Sequence, residues 1–284
     1  MKFSDSTEED MIKITNKYMR KNNDRFCEDT FIEFLHREAR KIPRRKREVI
    51  LSENIANKIE TSRPIKDIYY RMKNQQDVTQ YLSKSAIKNK SSNDGMFNDW
   101  AISHFHLGNV FENKKSVRRT KDLLYAYITN QKAIFLDILP HREWGNQQLL
   151  KILYETDPQV MENYRLEGVY GLSRETSEDE YLKLRNSGTS NIIELYGNYF
   201  IPPGYGVNSK KGSLRITMFS DSIFSEISDI KNNLTNHPDQ DPAWESMKYS
   251  IGTPINLGLH YYEGVFFIID KNNGIILRGS PCIY

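Results

Sequence analysis

The sequence predicts an α+β protein: a helical N-terminal region, a small central antiparallel sheet with a helix, and a β-rich C-terminal region. Three observations predict this. Apolar residues recur at helical spacing through roughly the first 90 positions. Two β-prone runs flank Asn130-Gln131 as a hairpin would. The end of the chain carries short apolar runs separated by turn residues. The expected segments are 1–95, a basic helical region; 96–170, a central α+β domain carrying any chemistry; and 171–284, a β-rich domain.

In the first segment, SDSTEEDMIKITNKYMRK supplies capping and acidic residues for a helix start, with Met11, Ile14, Tyr18 and Met19 at helical intervals. DTFIEFLHREARK (29–41) repeats that pattern through Phe31, Phe34 and Leu35, and Pro43 ends it. REVILSENIANKIETS (47–62) and IKDIYYRMKNQQDVTQYLSKSAIK (65–88) read as a third and a fourth helix, and NKSSNDG (89–95) as a linker. DWAISHFHLGN (99–109) alternates, predicting a strand over 101–107. DLLYAYIT (122–129) and KAIFLDIL (132–139) form the hairpin. HREWGNQQLLKILYET (141–156) is a loop and a helix with Leu149, Leu150 and Leu153 on its buried stripe, and Pro158 opens a further helical turn. IIELYGNYFIPPGYG (192–206) breaks at Pro202-Pro203-Gly204. SLRITMFS (213–220) reads as a strand and DSIFSEISDIKNNLTN (221–236) as a helix. INLGLHYY, GVFFIID and GIILRG make a closing meander.

Composition narrows the classes. With 284 residues the chain is long enough for more than one core. No apolar run reaches the roughly 18 residues of a membrane span, and the acidic start, MKFSDSTEEDMIK, is unlike a secretory leader. A cytoplasmic protein with no membrane partner is expected. The two cysteines, Cys27 and Cys282, form no C-x-x-C pair, which argues against a cysteine zinc site and a disulfide. The net charge of +3 is uneven: residues 1–95 hold 21 Lys/Arg against 15 Asp/Glu. The densest run contains Arg37, Arg40, Lys41, Arg44, Arg45, Lys46 and Arg47. Residues 40–47 of this run are candidate phosphate contacts, because clustered cations displace the counterions of nucleic acid. A solvated helix end with its loop explains the same run.

AISHFHLGNV (101–110) places His104 and His106 one residue apart. On a strand, side chains at i and i+2 share a face, about 7 Å apart, with Phe105 and Leu107 turned to the other side. Two chemistries suit such a pair. One is metal binding, with His141 or Asp137 as third ligand in a metal-dependent hydrolase. The other, preferred here, needs no metal or other cofactor. In RNA cleavage a base takes the ribose 2′-hydroxyl proton, an acid protonates the leaving 5′-oxygen, and cations hold the phosphorane. Histidine titrates near neutrality, and the arginine fork matches phosphate. The candidates are His104, His106, Arg118, Arg119, His141 and Arg142, with Thr120 nearby. The plain alternative is a pair of half-buried structural histidines beside a basic loop.

Residues 96–157 hold a strand, a basic loop with Arg118-Arg119, two hairpin strands and then LDILPHREW. This succession resembles the core of RelE-type bacterial ribonuclease toxins and is similar to the small barnase/colicin-like ribonuclease folds. The resemblance implies that Arg118 or Arg119 holds the scissile phosphate. It also implies that His141 and Arg142 lie at the active face, and that Trp144 or Tyr127 stacks on a base. HFHLG departs from that family's strand, and the chain is far longer than such toxins. The implied protein is a metal-independent RNA-cleaving toxin or phage-defence effector, with RNA and an inhibitory antitoxin protein as partners. The alternative is a non-enzymatic module that binds nucleic acid or protein. GYGVNSKKGS (204–213) does not match a phosphate loop.

Overall fold

The structure, a computed structural model, describes residues 3–83, 94–109, 116–141, 145–172, 176–236 and 254–283. The protein is α+β. Its contacts divide it into two compact units: residues 1–39 with 216–284, and residues 40–215. The first of these units joins the two ends of the chain.

In the first unit, β1 (Phe3–Asp5) pairs parallel with β8 (Ile255–Tyr262). β9 (Val265–Asp270) and β10 (Ile275–Gly279) continue the sheet antiparallel, in the order β1-β8-β9-β10. The closing meander is as expected, while β1 was unforeseen. Helices α1 (Thr7–Met19) and α2 (Glu28–Ala39) form where their periodicity predicts. Phe31, Phe34 and Leu35 are fully buried, and Phe31 and Phe34 meet Phe266 edge-on at 5.6 and 6.3 Å. Tyr261 donates its hydroxyl hydrogen to buried Glu38 at 2.7 Å, a polar contact deep in this core.

The second unit is built on a mixed sheet of order β2-β5-β4-β3. Its strands are β2 (Glu48–Leu51), β3 (Ile102–His106), β4 (Asp122–Ile128) and β5 (Lys132–Pro140). The 122–139 hairpin is as read, and β3 pairs antiparallel with β4. The expected third helix over 47–62 is corrected: Glu48–Leu51 is an edge strand lying parallel to β5, and only α3 (Glu53–Ala56) is helical. The β-branched pair Val49-Ile50 fits a pleated surface, and the partner supplies the ladder hydrogen bonds that a short apolar run cannot make alone. The sheet is therefore not purely antiparallel.

Each face of this sheet is covered. On one, Phe105, Leu124, Ala126, Ala133 and Phe135 pack with Ile55, Ile65, Ile68 and Met72. Those last residues come partly from α4 (Arg63–Lys73), which stops well before the predicted position 88. A 3-10 turn at Thr79–Tyr81 follows it. On the other face, Ile102, Leu123, Tyr125, Tyr127, Ile134 and Leu136 meet Trp100 of α5 (Gly95–Trp100), and Leu149, Leu150 and Leu153 of α6 (Gln148–Thr156). α7 (Pro158–Glu162) begins at the proline that predicted it. α8 (Glu178–Asn186), unforeseen, opens with a capping box between Ser177 and Glu180.

Residues 193–200 form a hairpin, β6 (Ile193–Leu195) and β7 (Asn198–Phe200). Its two-residue turn places Tyr196 and Gly197 at φ +52° and +73°. The strand expected over 213–220 is also corrected. Leu214–Asn236 is one helix, α9, which buries Ile216, Ser220, Ile223, Ile227, Ile230 and Leu234. Those positions repeat every three or four residues, a helical period that cutting the segment at 220 concealed. Among the described residues no helix is long and apolar enough to cross a membrane.

Candidate active site

The chemistry-bearing residues gather at one end of the mixed sheet, where β3 finishes, β4 begins and β5 finishes. Antiparallel register explains the gathering: His106 lies opposite Leu123, and Asp122 opposite Pro140, so His104, His106 and His141 emerge at neighbouring ends. The i, i+2 expectation holds, since Phe105 belongs to one sheet core while Ile102, His104 and His106 occupy the other face. The His104 and His141 rings meet edge-on at 6.3 Å, and the His104 ring is 6.1 Å from that of Tyr125. His104 Nδ1 lies 4.0 Å from Asp94 Oδ2.

The two strand histidines are deeper than a solvent-facing pair would be: His104 is 8% exposed and His106 2%. His106 Nδ1 accepts the Thr120 amide at 3.3 Å, and its Nε2 has no hydrogen-bond partner among the described residues. Burial first, and then the electrostatic influence of neighbouring His104, Arg119 and His141, lowers its pKa to about 4. At neutral pH His106 is therefore an uncharged side chain. With 2% exposure and its Nδ1 engaged by the Thr120 amide, it lies deeper than the exposed His141.

The loop bearing Arg118 and Arg119 is held at the end of β3 through Thr120. The Leu107 amide donates to Thr120 Oγ1 at 3.0 Å, and Thr120 Oγ1 donates to the Asp122 carbonyl at 2.7 Å. Gly108 permits the approach: a Cβ there would stand 2.2 Å from the Arg118 carbonyl oxygen. Arg118, Arg119 and His141 are exposed at the rim. The His141 amide donates to the Lys121 carbonyl at 2.9 Å, which closes the sheet end. Arg142 and Trp144 lie outside the described residues.

The structure disperses the predicted nucleic-acid contacts. Arg47 is 4% exposed, with its guanidinium donating to the carbonyls of Thr129, Pro43 and Arg45. Burial lowers its pKa to about 10. It ties loops together and offers nothing to a phosphate. Arg40 is largely desolvated, with its guanidinium 5.9 Å from the Phe97 ring centre. Arg44 pairs with Asp77 at 3.0 Å. Lys41 and Lys46 are exposed and Arg45 is half-buried. Tyr127, expected to stack on a base, is 5% exposed in the core, and its hydroxyl lies 3.2 Å from that of Tyr164. A sheet core holds that ring, so no base reaches it.

Asp137, offered as a metal ligand, instead accepts from Asn54 at 2.8 Å and pairs with Lys58 at 3.4 Å. Among the described residues no group of three or more His, Cys, Asp or Glu side chains could hold a metal ion. Among the described residues, Cys27 and Cys282 are in no disulfide.

Sequence reasoning missed Asp94. It caps α5 by accepting the Phe97 amide at 3.2 Å, and it turns its other oxygen toward His104. An Asp just before GMFNDW is an N-cap signal, which the linker reading of 89–95 obscured. Also missed was the buried pair of Arg185 and Asp99, joined Nε to Oδ2 at 2.7 Å and 3% and 1% exposed in their side chains.

No protein-family model, curated protein or solved structure matches this chain.

Proposed function

We propose that this chain is a metal-independent RNA-cleaving protein in which His141 and Arg119 engage one phosphodiester at the end of the mixed sheet. One observation carries the reading: His104, His106, His141 and Arg119 converge there from three separate segments. Arg119, with Arg118 beside it, would hold the phosphate oxygens and stabilise the pentacoordinate charge. His141, the exposed imidazole, would take the 2′-hydroxyl proton. The 2′-oxygen then attacks phosphorus, the bond to the 5′-oxygen breaks, and a 2′,3′-cyclic phosphate forms. His104, edge-on to His141 and with Asp94 Oδ2 4.0 Å from its Nδ1, is the candidate for protonating the leaving 5′-oxygen. His106 holds the Thr120 turn in place.

The resemblance of residues 96–157 to RelE-type and barnase/colicin-like ribonucleases supports the same reading. It extends it to a cytoplasmic bacterial toxin or phage-defence effector restrained by a protein inhibitor. The burial of His104 and His106 favours a second reading, in which the protein binds nucleic acid or a protein partner without chemistry.

Labelled RNA incubated with the chain in EDTA separates these. Cleavage to 2′,3′-cyclic ends is expected, falling by about two orders of magnitude or more in folded Arg119→Ala or His141→Ala. Cleavage abolished by EDTA and restored by zinc or manganese would replace this mechanism with a metal-dependent one. RNA binding without cleavage would establish the second reading.

A further inference from the structure

A second cluster in the same unit is built on other side chains and does not rest on the reading above. Two arginines approach one ring: Cζ of Arg215 lies 5.7 Å, and Cζ of Arg40 5.9 Å, from the centre of Phe97. Burial lowers the pKa of both guanidinium groups, an effect that grows when a charge is removed from water without full compensation. Arg40 has Asp94 within electrostatic reach. Among the described residues, the titratable groups that reach Arg215 are Tyr127, Tyr164 and Tyr205, with no carboxylate. Its Nε is buried and has no hydrogen-bond partner among the described residues.

Tyr127 and Tyr164 touch hydroxyl to hydroxyl at 3.2 Å, and the Tyr164 and Tyr205 rings are 5.9 Å apart. The surroundings of Arg215 are thus aromatic rings and hydroxyl groups. A buried cation left this way is costly, and proteins meet such cost with a counter-charge. A buried donor with no partner commonly marks an unseen water or ion. Guanidinium with phenolic hydroxyls is a donor set for a tetrahedral oxyanion.

We propose that Arg215, with the hydroxyls of Tyr164 and Tyr205, binds a phosphoryl-class oxyanion. Inorganic phosphate and the phosphate of a mononucleotide share that chemistry.

Titrate the full chain calorimetrically with inorganic phosphate and, separately, with adenosine 5′-monophosphate, in chloride buffer of constant ionic strength. Phosphate is expected to bind one-to-one. Arg215→Gln should weaken it by about tenfold or more, the loss of one charge-assisted contact, and Tyr164→Phe by a smaller factor. Binding at this site should persist in Arg119→Ala, which removes the rim contact to a phosphodiester. Tighter binding of the nucleotide would identify a nucleotide as the source, and equal binding would identify free phosphate.

Thermal melts supply a readout that survives a weak calorimetric signal. Without phosphate, Arg215→Gln should melt higher than the parent, because a desolvated charge has been removed. Saturating phosphate should raise the parent's Tm and not the variant's. The proposal is overturned if phosphate neither binds nor raises the parent's Tm. It is equally overturned if binding disappears in Arg119→Ala while Arg215→Gln retains it.

Discussion

Replacing Arg185 with methionine tests how the second unit is held together. The Arg185 side chain lies over the Trp100 ring with Cζ 4.2 Å from its centre, and 5.3 Å from that of Tyr181. Its Nε donates to Asp99 Oδ2 at 2.7 Å, and Trp100 Nε1 donates to the Tyr181 hydroxyl at 3.1 Å. Methionine keeps much of the volume but strands Asp99, whose side chain is 1% exposed. Breaking a buried ion pair from one side costs about 3–5 kcal/mol. At about 2–4 °C per kcal/mol for a unit of this size, the Tm should fall by roughly 6–20 °C.

The loss carries a pH signature. Burial already raises the Asp99 pKa above the ordinary carboxylate range, and Arg185 pulls it back. Without Arg185 the folded-state pKa rises further. A carboxyl group with a raised folded pKa favours the fold at low pH and opposes it as pH rises through that value. The deficit of Arg185→Met should therefore shrink in acid, and Arg185→Met with Asp99→Leu should recover part of it. Circular-dichroism melts at several pH values would measure this. A pH-independent loss of under ~1 kcal/mol would refute the reasoning, because it is the size of an exposed pair.

Two further outcomes follow from the histidine end. Gly108→Ala should destabilise the fold by about 1–3 kcal/mol in urea denaturation, because the obstacle to its Cβ is the Arg118 backbone and not a flexible side chain. Amide exchange at Thr120 should accelerate in the same variant. His106, with its pKa lowered from 6.5 to about 4, favours the fold above the unfolded value and withdraws that support as pH falls toward 4. Stability should decline across that window, and His106→Gln should flatten the decline. An NMR titration placing the His106 pKa at or above 6.5 would contradict the buried, neutral assignment.

What residues could say locally, the sequence said well. Helices α1, α2 and α6, the β4–β5 hairpin and the closing meander were legible because each carries its own periodicity and punctuation. The i, i+2 rule alone put His104 and His106 on one face. Tertiary structure decided the rest. Val49-Ile50 became an edge strand because β5 offered a parallel ladder, and residues 3–5 joined a sheet with strands some 250 positions away. The basic run 37–47 looked uniform as a string. Burial then split it into a carbonyl-bound Arg47, a desolvated Arg40 and an ion-paired Arg44. Depth has no sequence period: whether a cation faces water or a protein carbonyl depends on which distant segment covers it. That fixed the neutral state of His106 and the pairing of Asp99 with Arg185.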